Sequence, residues 1–440
     1  MTRAPWTLVE ADRFDAGRAD RALAYWSPDG RFALYNDYRT GQSFLVSDPG
    51  PIPDQGPPSW WARGAGPARP FSLADPAPVE GYGVFTFPYG PVSLGVAESG
   101  RFDLRTYGER ILAVTPIGGF KSRRLRAGLA GLSLADAGLR IERTVGNFAA
   151  AHVAAFLAAA ESAVGAEVPL EELWVRAFAQ ELQRIYNHLH VIARIAEAAN
   201  QNVGSAQAHA LAEEMVRFQG RVFGHRWLFG ALLPGGPARR LGSEDRRAIP
   251  GFLTGHEQAF DRLWSLFLES RTFIDRIQAT APVPRDRAVR LGGVGPTLRA
   301  SGVAWDDRLR VPHAPYTDLF LTLPQESAGD ALARVLVRVQ EIRASFSLLE
   351  QLLERWPSNG AVGTPDPPIA PGRGLARVEA PSGDLVYDVT VRAGRVDQVG
   401  VRTASQANFP LLAEGLRDQV FTDFHFAYES FGLVFAETDG

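Results

Sequence analysis

Four polar residues in one stretch, RAFAQELQRIYNHL, invite a chemical reading. Glu181, Arg184, Asn187 and His188 stand at i, i+3, i+6 and i+7, which puts them on roughly one face of a helix. His190 follows two residues later. Histidines near a carboxylate raise the chemistry of a metal site; the same residues suit a buried polar network that cross-links helices. The spacing favours the network, because a metal site needs more soft or carboxylate donors than this stretch supplies. Arg299, Arg308, Arg334 and Arg338 read the same way, as ion pairs within and between helices. LGGVGPTLRASGVAWDDR is glycine-rich, but it lacks the Lys-Ser/Thr of a phosphate loop and is not a GxGxxG motif. No Ser–His–Asp set, carboxylate pair or nucleotide-binding arrangement stands out, so no catalytic residue is assigned.

The elements that would position these residues follow from periodicity. Leu173, Ala177, Leu182, Ile185, Leu189 and Ile192 recur at helical spacing, and helices dominate from about Glu142 to Thr280. Gly329-Asp330 opens another helix, with Leu332, Val335, Val339, Ile342, Phe346 and Leu349 on one face. From Gly81, alternating apolar and polar residues broken by Gly and Pro predict a small antiparallel sheet, and Arg377 to Val401 predicts a hairpin or two. Tyr25 to Val46 suggests a few strands. Pro and Gly then accumulate from Asp48 to Glu80, as in a linker. Residues 1–80 thus read as a poorly defined N-terminal segment and 81–440 as one domain.

Composition narrows the function classes. With 46 basic and 49 acidic residues, nothing argues for nucleic-acid binding. There is no cysteine, so the chain can supply no thiolate to an iron–sulfur cluster or a nickel–iron centre. The longest apolar run, Phe148 to Ala160, reads as too short and Ala-rich to span a bilayer.

The stretch from Ser122 to Phe148 resembles a segment of the large subunits of nickel–iron hydrogenases related to respiratory complex I. There it has the form HRG-x-E-K, then ER-x-C-G-x-C and a nearby His. Ser122, Arg123 and Arg124 fall on HRG, Arg126 on the acidic residue, Glu142 and Arg143 on ER; Gly146 and His152 match. The two cysteines fall on Val145 and Phe148. The ending resembles D-P-C-x-x-C-T-D, which puts the second pair on Val434 and Glu437. Between these ends lie close likenesses of the family's ELxRIxNHL helix, its GP-x-x-RASG signature, and the helix GDALARVLVRVQEIRAS. PYGPVSLG resembles the GP-x-H-P opening that, in complex I, carries a His thought to contact the quinone headgroup. Here Val92, Ser93 and Leu94 provide no His, and the family's quinone-contacting Tyr falls near Leu134.

The resemblance implies an α+β fold: a central bundle of long helices, with small antiparallel sheets near the N- and C-terminal parts. It implies vestigial metal-ligand positions at Val145, Phe148, Val434 and Glu437, and a pocket near Ser93, Ser122, Arg123, Arg126, Arg143 and His152. No metal or other cofactor is expected on this chain; an iron–sulfur cluster could sit in a partner. The implied partners are a small hydrogenase- or complex I-like subunit and membrane-embedded complex I-like subunits. The implied place is peripheral, on the cytoplasmic face. Two functions fit: a scaffold or coupling subunit for ion or solute transport, or a subunit of an oxidoreductase reducing quinone or another acceptor. On either, the chain is not itself a nickel–iron hydrogenase. Three further expectations concern geometry. Val145, Phe148 and Val434 should pack the former metal pocket. Glu437 should pair with Arg123, Arg126 or Arg143. The sheet near Phe87 to Val96, the Ser122 loop and the C-terminal tail should face a partner; the tail aromatics Phe424, Phe426, Phe431 and Phe435 suit that role and plain core packing equally.

Overall fold

A computed structural model describes residues 6–50, 70–74, 78–93, 98–121, 126–237, 239, 241–311, 315–357 and 371–438. Most of the expected linker lies outside them. The strands expected early in the chain are present: β1 (Thr7–Glu10), β2 (Arg21–Trp26), β3 (Phe32–Asp37) and β4 (Gln42–Ser47). They form one sheet in the order β1-β4-β3-β2, with β1 parallel to β4 and the other pairings antiparallel. A second sheet, all antiparallel, has the order β5-β8-β7-β6, from β5 (Phe71–Ser72), β6 (Phe85–Tyr89), β7 (Arg101–Tyr107) and β8 (Arg110–Gly118). Along β7, buried Phe102, Leu104 and Thr106 alternate with partly exposed Arg101, Asp103 and Arg105, as a half-covered sheet requires.

The helices begin with α1 (Leu134–Ile141), α2 (Ala149–Val164), α3 (Leu170–Ala198) and α4 (Asn202–Phe223). A short ribbon, β9 (Leu232–Leu233) and β10 (Gly236–Pro237), precedes α5 (Ser243–Glu269) and α6 (Arg271–Ile277). Then come α7 (Arg285–Arg290), α8 (Gly295–Ala300), α9 (Asp307–Arg310) and α10 (Ala331–Glu354). A meander of β11 (Gly372–Ala380), β12 (Gly383–Arg392) and β13 (Arg395–Arg402) leads to α11 (Ala404–Gly415) and α12 (Phe424–Phe431). Local chemistry fixes the ends. The Asp330 carboxylate accepts the Ala333 N–H (2.8 Å) at the start of α10. Thr403 and Gln406 form a capping box on α11. Gly432, at φ 64°, turns the chain after α12.

The main core joins α2, α3, α4, α5 and α10 to the β11–β13 sheet. α2 is buried almost all round, as an apolar helix without a polar face must be. By length and composition Gly146–Val164 does pass as a bilayer crossing, unlike the sequence expectation, but 83 % of that window is buried inside the chain. The sheet comes unusually close to it. A Cβ on Gly372 or Gly374 would lie 1.8 or 2.0 Å from the carbonyl oxygens of Ala163 and Ala159, so only glycine fits there. A second core lies between β7, β8, α11 and α12. It contains Phe424, Phe431 and Phe435, while Phe426 joins the main core. The tail aromatics are therefore 0–5 % exposed and pack inward, which favours core packing over the partner-facing reading of these side chains.

Candidate functional site: a cleft beside a buried charge network

Val145 caps the short 3-10 turn Gly146–Phe148 that leads into α2. Val434 follows the Gly432 turn, and Glu437 lies in the next 3-10 turn, Phe435–Thr438. Val145 and Val434 line one cleft of about 230 Å³ together with Glu98, Asn187, His190, Arg194 and Glu429. Phe148 is fully buried and is not part of this lining. Val145 and Val434 thus come together at one cleft, and Phe148 lies buried outside its lining.

Of the arginines expected to pair with Glu437, Arg143 does not; the other two fall on Arg123 and the Arg126 side chain, outside the described residues. Glu437 is buried, and its carboxylate accepts from the Ser405 hydroxyl, from the Ser405 N–H (3.2 Å) and from His152 Nε2 (3.3 Å). The His152 Nδ1 meets the Tyr387 hydroxyl at 2.9 Å, so the histidine bridges strand β12 to the C-terminal turn. Arg143 points elsewhere, over the Phe229 ring (4.2 Å) and against Glu142 (3.4 Å). It borders an outer, more open cleft of about 430 Å³ with Gly146, Asn147, Trp227 and Phe229. Gly146 and Asn147 belong to both clefts. Burial raises the Glu142 carboxyl, although the Gly230 N–H donates to it (2.6 Å). Ser93 sits beside Tyr89, away from the inner cleft lining. Ser122 and Arg123 lie outside the described residues, as does the side chain of Arg126. Replacing Glu437 with leucine leaves three buried donors without an acceptor; a loss of about 1–3 kcal/mol in denaturant unfolding is the expected result.

The helix α3 motif splits between two settings. Asn187 faces the cleft, and its buried Oδ1 has no hydrogen-bond partner among the described residues. His190 also lines the cleft, stacked on Tyr186 and edge-on to His209; burial lowers it to about 4, so it is neutral near pH 7. Arg194 crosses the cleft wall to Glu429 (2.9 Å). Glu181, Arg184 and His188 turn the other way, into a charge network with almost no exposure. His188 Nε2 meets Glu341 at 2.8 Å. Arg299 binds Glu341 (2.5 Å), Glu379 (2.9 Å) and Asp306 (3.3 Å). Arg308 binds Asp306 (2.7 Å) and Glu181 (3.1 Å). Burial pushes Glu181 upward, but Arg184 and Arg308 outweigh it and hold the carboxyl down at about 2.

Arg334 and Arg338 do not form the expected ion pairs. Arg334 donates to the carbonyls of Ala281 (3.1 Å) and Gly329 (2.7 Å) and covers the Phe431 ring. Arg338 donates to Phe431 O (2.9 Å) and His188 Nδ1 (3.1 Å). Both guanidiniums bind carbonyl oxygens at helix ends and turns, which have acceptor capacity to spare. The acidic partners Asp306, Glu341, Glu379 and Asp384 were not singled out from the sequence. Glu341 does carry a signal, as the Glu of VRVQE three residues after Arg338.

The donor set at the four former ligand positions does not fit a nickel–iron centre. Three side chains are hydrocarbon, and the fourth is tied to Ser405 and His152.

Known proteins share this sequence pattern and fold. The family described as the 49 Kd subunit of respiratory-chain NADH dehydrogenase matches residues 205–373. The alpha subunit of the membrane-bound hydrogenase of Pyrococcus furiosus is 27 % identical over 327 residues, 70 % of this chain and 76 % of the relative. An NADH-quinone oxidoreductase subunit of Herpetosiphon aurantiacus is 30 % identical over 301 residues, 65 % of this chain and 79 % of the relative. A solved structure of the membrane-bound sulfane sulfur reductase, an archaeal respiratory membrane complex, shares the fold with a TM-score of 0.77 at 23 % identity, covering 83 % of this chain and all of that one. The signature motifs, the fold and these similarities together make the chain a member of the family of complex I 49 kDa proteins and the related large subunits of membrane-bound hydrogenases.

Proposed function

We propose that this chain is a metal-free subunit of a membrane-associated, complex I-related assembly. Its role is to scaffold and couple transport of an ion or solute. It sits peripherally at the cytoplasmic face, held by a small hydrogenase- or complex I-like subunit and by membrane-embedded subunits. Any iron–sulfur cluster belongs to the small partner. The carrying observation is the replacement of all four thiolate positions by Val145, Phe148, Val434 and Glu437. The test is purification of the native assembly from membranes, with identification of subunits and metals. The expected result is cofractionation with complex I-like subunits and no stoichiometric nickel or iron on the isolated chain. Metal bound by its own side chains would refute the proposal.

The edge strand β6 is the surface that best suits the partner. Phe85 and Phe87 are exposed on it, with Tyr82 and Tyr107 beside them. A hydrophobic, unpaired edge of this kind is a liability unless something covers it. Phe85→Ser together with Tyr107→Ser is expected to lower recovery of the small partner by about tenfold while leaving the unfolding midpoint of the chain unchanged; a tenfold loss corresponds to about 1.4 kcal/mol of binding. Full recovery with both substitutions would remove β6 from the interface.

One observation favours the oxidoreductase reading. The buried Asn187 Oδ1 faces an open cleft and lacks a donor, which a small acceptor's hydroxyl or N–H could supply. An Asn187→Leu assembly that loses acceptor-dependent turnover, with subunit composition intact, would decide for that reading. Unchanged transport and turnover would decide for the scaffold.

A further inference from the structure

The buried network holds six carboxyl groups, those of Glu181, Asp306, Asp307, Glu341, Glu379 and Asp384, but only five guanidiniums in ion pairs with them, Arg184, Arg299, Arg308, Arg377 and Arg402. Arg338 stands at the far end, beyond His188, and makes no ion pair with any of the six. A carboxyl oxygen so deeply buried is costly to keep unless it has a donor or carries a hydrogen.

Two of these carboxyls crowd together where α9 meets β12. A single atom, Arg377 Nη2, serves both carboxyls there, at 3.0 Å from Asp307 and 2.7 Å from Asp384. Two carboxylates crowded onto one N–H disfavour a second ionisation there, and a hydrogen carried by one of them relieves the repulsion. Asp307 Oδ1 accepts the Trp305 indole N–H (3.1 Å), while its Oδ2 is buried without any donor among the described residues. Asp384 is better supplied, with Arg377 and Arg402 Nη2 (2.9 Å) both donating to its Oδ2.

We propose that Asp307 and Asp384 share one proton at neutral pH, which makes this pair a proton-binding site in the interior of the chain. Asp307 is the acid and Asp384 the acceptor. The electrostatics agree: burial, with Asp384 beside it, drives the Asp307 carboxyl far up, whereas Arg377 and Arg402 overcome burial at Asp384 and hold it at about 2. The neighbours facing the pair are Arg377 and Glu379 from β11, Arg402 from β13, and Asp306 and Arg308 from α9. Tyr38, just after β3, is raised by burial to about 12 and stays neutral. Arg299 from α8 and Arg184 from α3 reach Glu379 rather than the pair, and Glu341 of α10 takes up the rest of Arg299. Burial and Asp306 raise Glu379 to about 7, so it is the next group to exchange a proton with solvent. The inference is independent of the scaffold reading.

The sign of the pH effect is fixed. The folded chain keeps a proton that the unfolded chain releases above about pH 4. Stability contributed by this proton is therefore present at low pH and falls as pH rises toward the folded value, by up to tenfold in the folding constant per pH unit. The experiment compares the full chain with Asp307→Asn, which keeps the shape and supplies the hydrogen permanently. Between pH 5 and 8, the fall in the folding constant should be shallower in Asp307→Asn by close to tenfold per pH unit. The infrared difference spectrum at pH 7 should show one carboxylic-acid C=O band lost. Equal slopes and an unchanged band would overturn the proposal. Wild-type chain labelled with ¹³C at the aspartate carboxyl covers the case in which the variant does not fold: one aspartate carbon must remain in the protonated form at pH 7, and its absence refutes the site.

Discussion

Replacing Arg299 with methionine is expected to lower the stability of the chain by on the order of 3–5 kcal/mol, the range for removing one partner of a buried ion pair. Arg299 is fully buried, and its guanidinium serves Glu341, Glu379, Asp306 and the Trp305 carbonyl at once. Without it, three carboxyls from α9, α10 and β11 confront one another around a dry site. Methionine keeps most of the volume, so the loss reads the charge rather than a cavity. Urea unfolding should show a lower midpoint at unchanged m. The deficit should shrink in mild acid, because unpaired carboxyls can then take protons. The control is Arg343→Ala, whose pair with Asp261 is about half exposed (2.8 Å); it should cost less than about 1 kcal/mol. An Arg299 loss no larger than that control would mean the network is not cooperative.

The contrast between these arginines marks where sequence reading ends. The spacing of Leu182, Ile185, Leu189 and Ile192 made α3 legible because helical periodicity is local. Asp330 and the 3.6-residue pattern after it did the same for α10, and alternation did so for β7 and the β11–β13 meander. The side of α3 that each polar residue serves was less accessible. Asn187 and His188 are adjacent in sequence, yet one borders a cleft and the other is bonded to Glu341 from α10. The partners of His188, Glu341 and Arg338, come from more than a hundred residues away and depend on how α3 seats against α10. Arg334 and Arg338 lie on the same helix as Glu341, but carbonyl ends of other segments reach them first. The tail aromatics likewise carry no mark that separates a core from an interface; only the seating of α12 under β7 does so. The resemblance pointed to Val145 and Val434, and the fold brings these two to one cleft. It did not reveal that His152 would meet Glu437, since that contact requires the turn after Gly432.

Phe148→Ala is expected to cost about 3–5 kcal/mol, as large-to-small changes at buried aromatic positions do. The ring is fully buried at the turn where the chain enters α2, and the Phe148 N–H closes that turn on the Val145 carbonyl (3.2 Å). Truncation removes dispersion contacts and leaves a void that close-packed neighbours fill only in part. Val434→Ala is the paired measurement. Val434 is only partly buried and borders an existing cleft, so its truncation enlarges that cleft without creating a sealed hole. Its expected cost is under about 1.5 kcal/mol. If Phe148 and Val434 filled one former metal pocket, the two substitutions would be similarly costly and their effects would depart from additivity, as for residues in contact. Independent, unequal effects in denaturant unfolding would instead assign them separate tasks. Phe148 then supports the entry to α2, and Val434 keeps one wall of the cleft apolar.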